Sequence, residues 1–328
     1  MVIQSPQTLS DVLYKETEDN LFALTANKLN QPVKSNWWMT SYSGLVKQGN
    51  HHNDSSLELI NLDVDSAEDK DDKELDLEPE RTIFTFPRGA RAGTFLHSLF
   101  EEVEFTQPIN SEENTQIIIK LLEKENYDVE WLDVVQSMMQ RVLDCPLDGH
   151  DLRLATKGPT QRLVEMEFLL PITLLNSSLV NKTIAKHDEV SARAGELGFS
   201  TVSGMLKGFI DLVFEHEGKY YVLDWKSNHL GDSPECYGGD ALIEAMRDHR
   251  YDFQYQLYAL ALHRFLKSRI ADYNYDTHFG GAYYIFLRGI EESHEGHDSN
   301  SNGVFYSKPS EVLLEELELL VDGVEVDA

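Results

Sequence analysis

With 328 residues and 41% hydrophobic content, the chain is long enough to bury one sizeable core, or two smaller ones, without disulfide or metal staples. No run approaches the roughly 18 apolar residues of a membrane span, and the start MVIQSPQTLSDVLYKETEDN lacks a basic segment followed by an apolar one, so the chain reads as cytoplasmic with no membrane partner. Its formal charge of -29 speaks against a surface that binds phosphate all over, because such affinity comes from Lys and Arg.

That charge is unevenly spread. Between Asp54 and Glu80 twelve acidic residues stand against only Lys70 and Lys73. Residues 51–80, low in aromatics and dense in like charge, read as an acidic disordered linker. The remainder is still acidic, so any DNA-binding face has to be local or supplied by a partner subunit. Residues 1–50, with Trp37 and Trp38 near their end, are too few for an independent core and read as the tail of something larger. Cys145 and Cys236 belong to no C-x-x-C pair, which disfavours a zinc ribbon or a four-cysteine iron–sulfur site.

Beyond Pro87 the pattern is globular. Phe95, Leu96, Leu99, Phe100 and Val103 fall at helical spacing over 93–103, with His97 inside the pattern. Helices are also predicted over 116–125 and 131–143, and a strand over 164–170 that stops at Pro171. Residues 205–214 and 219–227 read as a β-hairpin joined by Glu215-His216-Glu217-Gly218. One long helix is predicted over 241–267, a buried strand over 281–287, a polar loop over 291–303 and a last helix over 311–320. No internal repeat is visible.

The chemistry concentrates in the hairpin. Side chains alternate along a strand, so Asp224 and Lys226 share one face and Trp225 takes the other. Asp211 interrupts the apolar run Phe209-Ile210-Asp211-Leu212-Val213-Phe214 of the neighbouring strand. A carboxylate there is costly unless something positive compensates it. Two Asp oxygens on adjacent strands suit a hard cation such as Mg2+, and Lys226 would then orient or deprotonate an attacking water and offset charge on a phosphate. On its own the D-x-K tripeptide reads more readily as an ion pair on a strand surface.

Five segments taken in order make a stronger pattern: Gly-Thr-Phe-Leu-His-Ser-Leu-Phe-Glu (93–101), Glu165-Met166-Glu167-Phe168, Gly208-Phe209-Ile210-Asp211, Leu223-Asp224-Trp225-Lys226-Ser227-Asn228 and Gln254-Tyr255-Gln256-Leu257-Tyr258. The order resembles the RecB-family nucleases of the PD-(D/E)xK superfamily, and within them the nuclease portion of RecBCD-type helicase–nucleases (exodeoxyribonuclease V). The resemblance runs from about Trp38 to the C-terminus and is broken by the acidic linker.

It implies an α/β, restriction-endonuclease-like fold: a mixed central β-sheet flanked by helices, occupying 81–328, with 1–50 as a remnant of the preceding helicase portion. It implies hydrolysis of DNA phosphodiesters, with Mg2+ held by His97, Asp211, Asp224 and the main-chain carbonyl of Trp225, and with Asp211, Asp224 and Lys226 as the catalytic set. A His ligand would make the site tolerant of Mn2+ as well. Gln254 and Tyr258 share a helix face; they would position DNA or Lys226, the other reading being plain helix packing. Glu165 and Glu167 would assist the metal or a water, or else face solvent.

Partners implied are DNA, with single-stranded ends fed by a helicase, the RecC and RecD subunits, and RecA. The setting would be double-strand break repair, homologous recombination and degradation of foreign linear DNA. No G-x-x-x-x-G-K-[ST] loop is present, so ATP is not expected to bind. Arg247, His249, Arg250, Arg264, Lys267 and Arg269, interleaved with Tyr251, Phe253 and Tyr255, read either as a track for single-stranded DNA or as a solvated helix face. Two other classes stay open: a catalytically silent docking module for RecA or RecC, and a stand-alone or CRISPR-associated nuclease of the same superfamily, although many of the latter carry iron–sulfur cysteines that are missing here.

Overall fold

The computed structural model describes residues 38–50, 80–291 and 302–324. Among the described residues six strands form one mixed sheet: β1 (Trp38–Thr40), β2 (Arg162–Leu175), β3 (Val202–His216), β4 (Lys219–Lys226), β5 (Phe279–Phe286) and β6 (Val304–Ser307). β3 is its axis. β2 runs antiparallel along almost all of β3, from Arg162↔Phe214 to Leu175↔Val202. The other edge of β3 is shared. β1 pairs with it in parallel at Gly204–Leu206, and β4 pairs antiparallel at Leu212–His216. Between those two stretches that edge has no strand partner among the described residues. β5 then joins β4 in parallel, and β6 closes the order antiparallel to β5.

The helices are α1 (Tyr42–Asn50), α2 (Ala90–Glu102), α3 (Glu112–Lys124), α4 (Leu132–Asp144), α5 (Ser177–His187), α6 (Glu189–Ala192), α7 (Gly239–Asp248), α8 (Tyr251–Arg269), α9 (Tyr275–His278) and α10 (Glu311–Val321). Where they begin follows from local chemistry. Ser111 accepts a hydrogen bond from the Asn114 N–H at the start of α3, and Ser310 accepts one from Leu313 at the start of α10. A separate apolar core lies on each face of the sheet. Leu223, Trp225, Tyr283 and Ile285 pack against α2, α3 and α4, whereas Val222, Tyr284 and Phe286 pack against α7, α8 and α10. The period-2 alternation of β4 and β5 therefore feeds two cores at once.

Several boundaries differ from the sequence reading, each for a physical reason. β2 runs through Pro171 because, among the described residues, it pairs only with β3, and an edge strand tolerates a missing N–H. The hairpin closes tightly through Glu217 and Gly218, both at positive φ, so its strands reach His216↔Lys219. The helix expected over 241–267 is two helices. Arg250 takes a left-handed conformation (φ 57°) between them, and its guanidinium folds onto the Asp252 carboxylate with two contacts of 3.0 Å. β6, short and adjacent to the polar loop, is an element the sequence pattern does not reveal.

The division at residue 50 also moves. Trp38–Thr40 forms a strand of the same sheet, and Tyr42 and Leu45 are buried in its core, so the described part of the first fifty residues packs as one body with the rest. Most of residues 51–80 lies outside the described residues. No helix among the described residues is long and apolar enough to cross a membrane. Both cysteines are free thiols, Cys145 buried and Cys236 partly so.

Candidate active site

The site forms where β3 and β4 part. Leu212↔Leu223 is their last paired position, and one residue further on a side chain replaces the ladder. The N–H of Trp225 donates to Asp211 Oδ2 at 2.8 Å. A residue's N–H and C=O point to the same edge of its strand, so the Trp225 carbonyl faces the same gap. Its indole points the other way and stacks on Phe100 of α2, with ring centroids 4.2 Å apart. That stack anchors β4 to the helix that carries His97.

Asp224 and Lys226 lie on the α8 side of β4, 2% and 4% exposed, with Lys226 Nζ 2.7 Å from Asp224 Oδ2. Burying such a pair is favourable only when further contacts satisfy it. The Lys226 ammonium donates to Gln254 Oε1 at 3.1 Å and sits 3.7 Å from the centroid of the Tyr251 ring. Gln254 is fixed in turn: Tyr284 Oη donates to its Oε1 at 3.1 Å, and its Nε2 donates to Tyr258 Oη at 3.0 Å. Gln254 and Tyr258, expected on one helix face, thus form a hydrogen-bonded chain that ends on Lys226.

The opposite wall is α2. A Cβ on Gly93 would stand 3.0 Å from Ser227 Oγ, so the absence of one lets the first turn of α2 lie close over the end of β4. One turn later His97 Nδ1 is 3.3 Å from Asp211 Oδ2. Helix and hairpin, 114 residues apart at these positions, meet at that contact. Glu101, four residues beyond His97 and hence on the same helix face, lines the same cavity of about 190 Å³ together with Thr94, Glu165, Lys207, Phe209, Asp211 and Tyr258.

Desolvation in the cleft raises the Glu101 carboxyl above its ordinary pKa; His97 opposes this, and Asp211 adds to it. A raised folded-state pKa means stability that is full below the ordinary Glu range and is lost as pH rises through the raised value. Glu101→Gln should therefore melt higher than the unsubstituted protein at neutral pH in a chelator, and the gap should close by about pH 4. Equal melting temperatures across that range would show that Glu101 carries no such strain.

The two carboxylates of β2 separate. Glu165 sits opposite Asp211 at a positive φ of 51°, where the strand turns over: Val164 packs with the core of α2–α4 and Met166 with the core of α8. It lines the cavity. Glu167 instead forms an ion pair with Lys207 across the strands, 3.0 Å away and half-exposed. Two members of the basic concentration around α8 are committed to ion pairs within the fold. Arg250 holds Asp252, and Arg264 lies 2.8 Å from Glu318 and 3.4 Å from Asp322. Phe253 and Tyr255 are fully buried and Tyr251 packs against Lys226, so these rings are not laid out for stacking on bases.

Sequence reasoning does not assign Glu101, Lys207, Phe209, Tyr284 or Arg288. Helical spacing from His97 would have found Glu101, and strand alternation from Asp211 would have found Lys207 and Phe209; Tyr284 and Arg288 carry no local signal. Arg288 is 1% exposed and has no carboxylate partner among the described residues. Its guanidinium donates to the carbonyls of Ile83, Phe86 and Pro87 before α2 and of Ser227 after β4, and burial draws its pKa down to about 10. It pins together the two segments that lead into the site. A separate group, Asp148, Asp151 and His216, lies at the hairpin-turn end of β3, away from the cleft. There Lys157 Nζ is already 2.8 Å from His216 Nδ1, and Asp148 caps its own loop through the His150 and Leu152 N–H groups.

The expected metal-binding residues make a chemically coherent donor set: the His97 imidazole and the Asp211 carboxylate meet in the cleft with Glu101 beside them, the Trp225 carbonyl lies at the same parting of the strands, and the Asp224 carboxylate is buried next to it against Lys226. Oxygen-rich donors with a single imidazole fit a hard or borderline divalent cation.

Comparison with known proteins agrees with this geometry. Residues 73–325 match the PD-(D/E)XK nuclease superfamily. The RecBCD enzyme subunit RecB of Escherichia coli (strain K12) is 40% identical over 99% of this chain and 26% of that protein. RecB of Haemophilus influenzae is 34% identical over 91% of the chain and 24% of that protein, and RecB of Buchnera aphidicola subsp. Schizaphis graminum is 32% identical over 93% and 24%. The chain thus spans about a quarter of the length of the curated relatives it matches. With the splayed strands of a mixed sheet between the Asp-x-Lys face on the α8 side and the helix bearing His97 on the other, the chain belongs to the PD-(D/E)XK nuclease superfamily.

Proposed function

We propose that this chain is the nuclease portion of a RecBCD-type helicase–nuclease, a Mg2+-dependent exodeoxyribonuclease that acts in the cytoplasm in double-strand break repair, recombination and degradation of foreign linear DNA. The observation that carries this reading is the convergence of Asp211, Trp225 and His97 at the parting of β3 and β4, beside the buried Asp224–Lys226 pair. His97, Asp211, Asp224 and the Trp225 carbonyl hold the cation. When bound, it supplies Lewis acidity to water and to the phosphate. Lys226, held by Gln254 and Tyr251, orients the attacking water and offsets negative charge as phosphorus becomes five-coordinate. Tyr258 steadies Gln254, and Glu165 and Glu101 border the cleft, where they would assist the metal or a water.

An imidazole ligand makes Mn2+ a workable substitute. RecC, RecD and a motor would deliver the strand, which suits a chain of charge -29 that attracts DNA poorly by itself; RecA would act on the strand produced. The test is direct: the purified chain should shorten an end-labelled single strand in Mg2+ and not in a chelator. Absence of cleavage in both Mg2+ and Mn2+ would count against the reading, as would cleavage indifferent to the chelator.

A further inference from the structure

Lys207, Phe209 and Asp211 occupy alternate positions of β3 and line one cavity. Phe209 is only half-buried although it belongs to the central strand, and no ring stacks on it among the described residues. Lys207 Nζ lies 4.9 Å from the Phe209 ring centroid, and its ion pair with Glu167 is exposed enough to be weak. A phosphate can displace such a carboxylate. Beyond Lys207 the same surface continues through Leu169, its cross-strand neighbour, which is 50% exposed, and Met39 of β1, which is 49% exposed. The resulting strip combines apolar side chains with the exposed Lys207–Glu167 pair and leads to the carboxylate proposed to hold the metal.

Neighbouring positions on this strip are about 6.8 Å apart, twice the 3.4 Å rise of a stacked strand. A phosphate at Asp211 can place the adjoining base on Phe209 only if that base is unstacked and unpaired. We propose that Phe209 and Lys207 form the subsite that seats an unpaired nucleotide next to the one being cleaved, Phe209 by stacking on the base and Lys207 by pairing with its phosphate. This subsite rests on the nuclease reading and names the side chains that would hold the single strand beside the site of cleavage.

The test compares Phe209→Leu, Phe209→Trp and Lys207→Ala with the unsubstituted 328-residue chain. Cleavage of a labelled oligothymidylate is followed in Mg2+, and its binding by fluorescence anisotropy in Ca2+. Phe209→Leu should raise KM and Kd about fivefold or more, the weaker end of base–ring stacking, with the rise in KM exceeding any fall in kcat. Phe209→Trp should restore both, and Lys207→Ala should flatten the salt dependence of binding. Unchanged KM and Kd in Phe209→Leu would overturn the subsite, as would an equal loss in Phe209→Trp. Active enzyme with an indifferent Phe209 leaves the nuclease reading standing without the subsite. Phe209-dependent binding without any cleavage does the reverse.

Discussion

Asp211→Asn and Asp224→Ala are each expected to lower Mg2+-dependent cleavage by about a hundred- to a thousandfold, the scale of losing preorganised charge stabilisation at a reacting phosphate. The two positions differ in what else they do. Asp211 Oδ2 both faces His97 and accepts the Trp225 N–H at the point where the strands part. Asparagine keeps that acceptor and drops the charge, so Asp211→Asn should stay folded, and should melt no lower than the unsubstituted protein in a chelator because a source of repulsion on Glu101 is gone. Alanine at the same position removes the acceptor as well. It leaves the Trp225 N–H unpaired in a buried place, a cost of about 1–3 kcal/mol. A stability gap between Asp211→Asn and Asp211→Ala, with cleavage lost in both, separates the structural half of Asp211 from the chemical half. Retained cleavage in Asp211→Asn would remove this carboxylate from the proposed ligand set.

That double duty explains what the sequence could and could not disclose. The alternation at Asp224-Trp225-Lys226 was legible because strand faces follow directly from period 2, and the two cores bear it out: Trp225 goes to Phe100 and Lys226 to Tyr251. The helix from Gly93 was legible because its apolar residues repeat at helical spacing. Not legible was the reason for each exception. Arg250 breaks α7 from α8 through a contact with Asp252, and Glu165 turns β2 over at a positive φ, neither of which leaves a mark on hydrophobic periodicity. Partnerships across more than 200 residues, such as Arg288 with the carbonyls of Ile83 and Phe86, are set by tertiary packing alone. The basic residues around α8 show the same limit: sequence displays charge but not that Asp252 has claimed Arg250 and that Glu318 has claimed Arg264.

Lys226→Met should reveal how far the site relies on its own lysine before a cation arrives. Lys226 is the positive partner of a carboxylate that is 2% exposed, and removing one member of a buried pair costs about 3–5 kcal/mol. In a chelator the variant should therefore melt on the order of 10 °C lower. Mg2+ should narrow that deficit, because a cation bound at Asp224 supplies the missing positive charge. Cleavage should not recover alongside: kcat is expected to stay about a hundred- to a thousandfold down. Lys226→Arg sharpens the distinction. A guanidinium restores the charge beside Asp224, but its planar fork does not reproduce a compact ammonium seated 3.7 Å over the Tyr251 ring and bonded to Gln254, so stability should return without activity. Cleavage by Lys226→Met at the unsubstituted rate would mean that the lysine serves only to compensate Asp224 in the cation-free protein. The chain Tyr258–Gln254–Lys226 would then be a structural brace rather than part of the reaction.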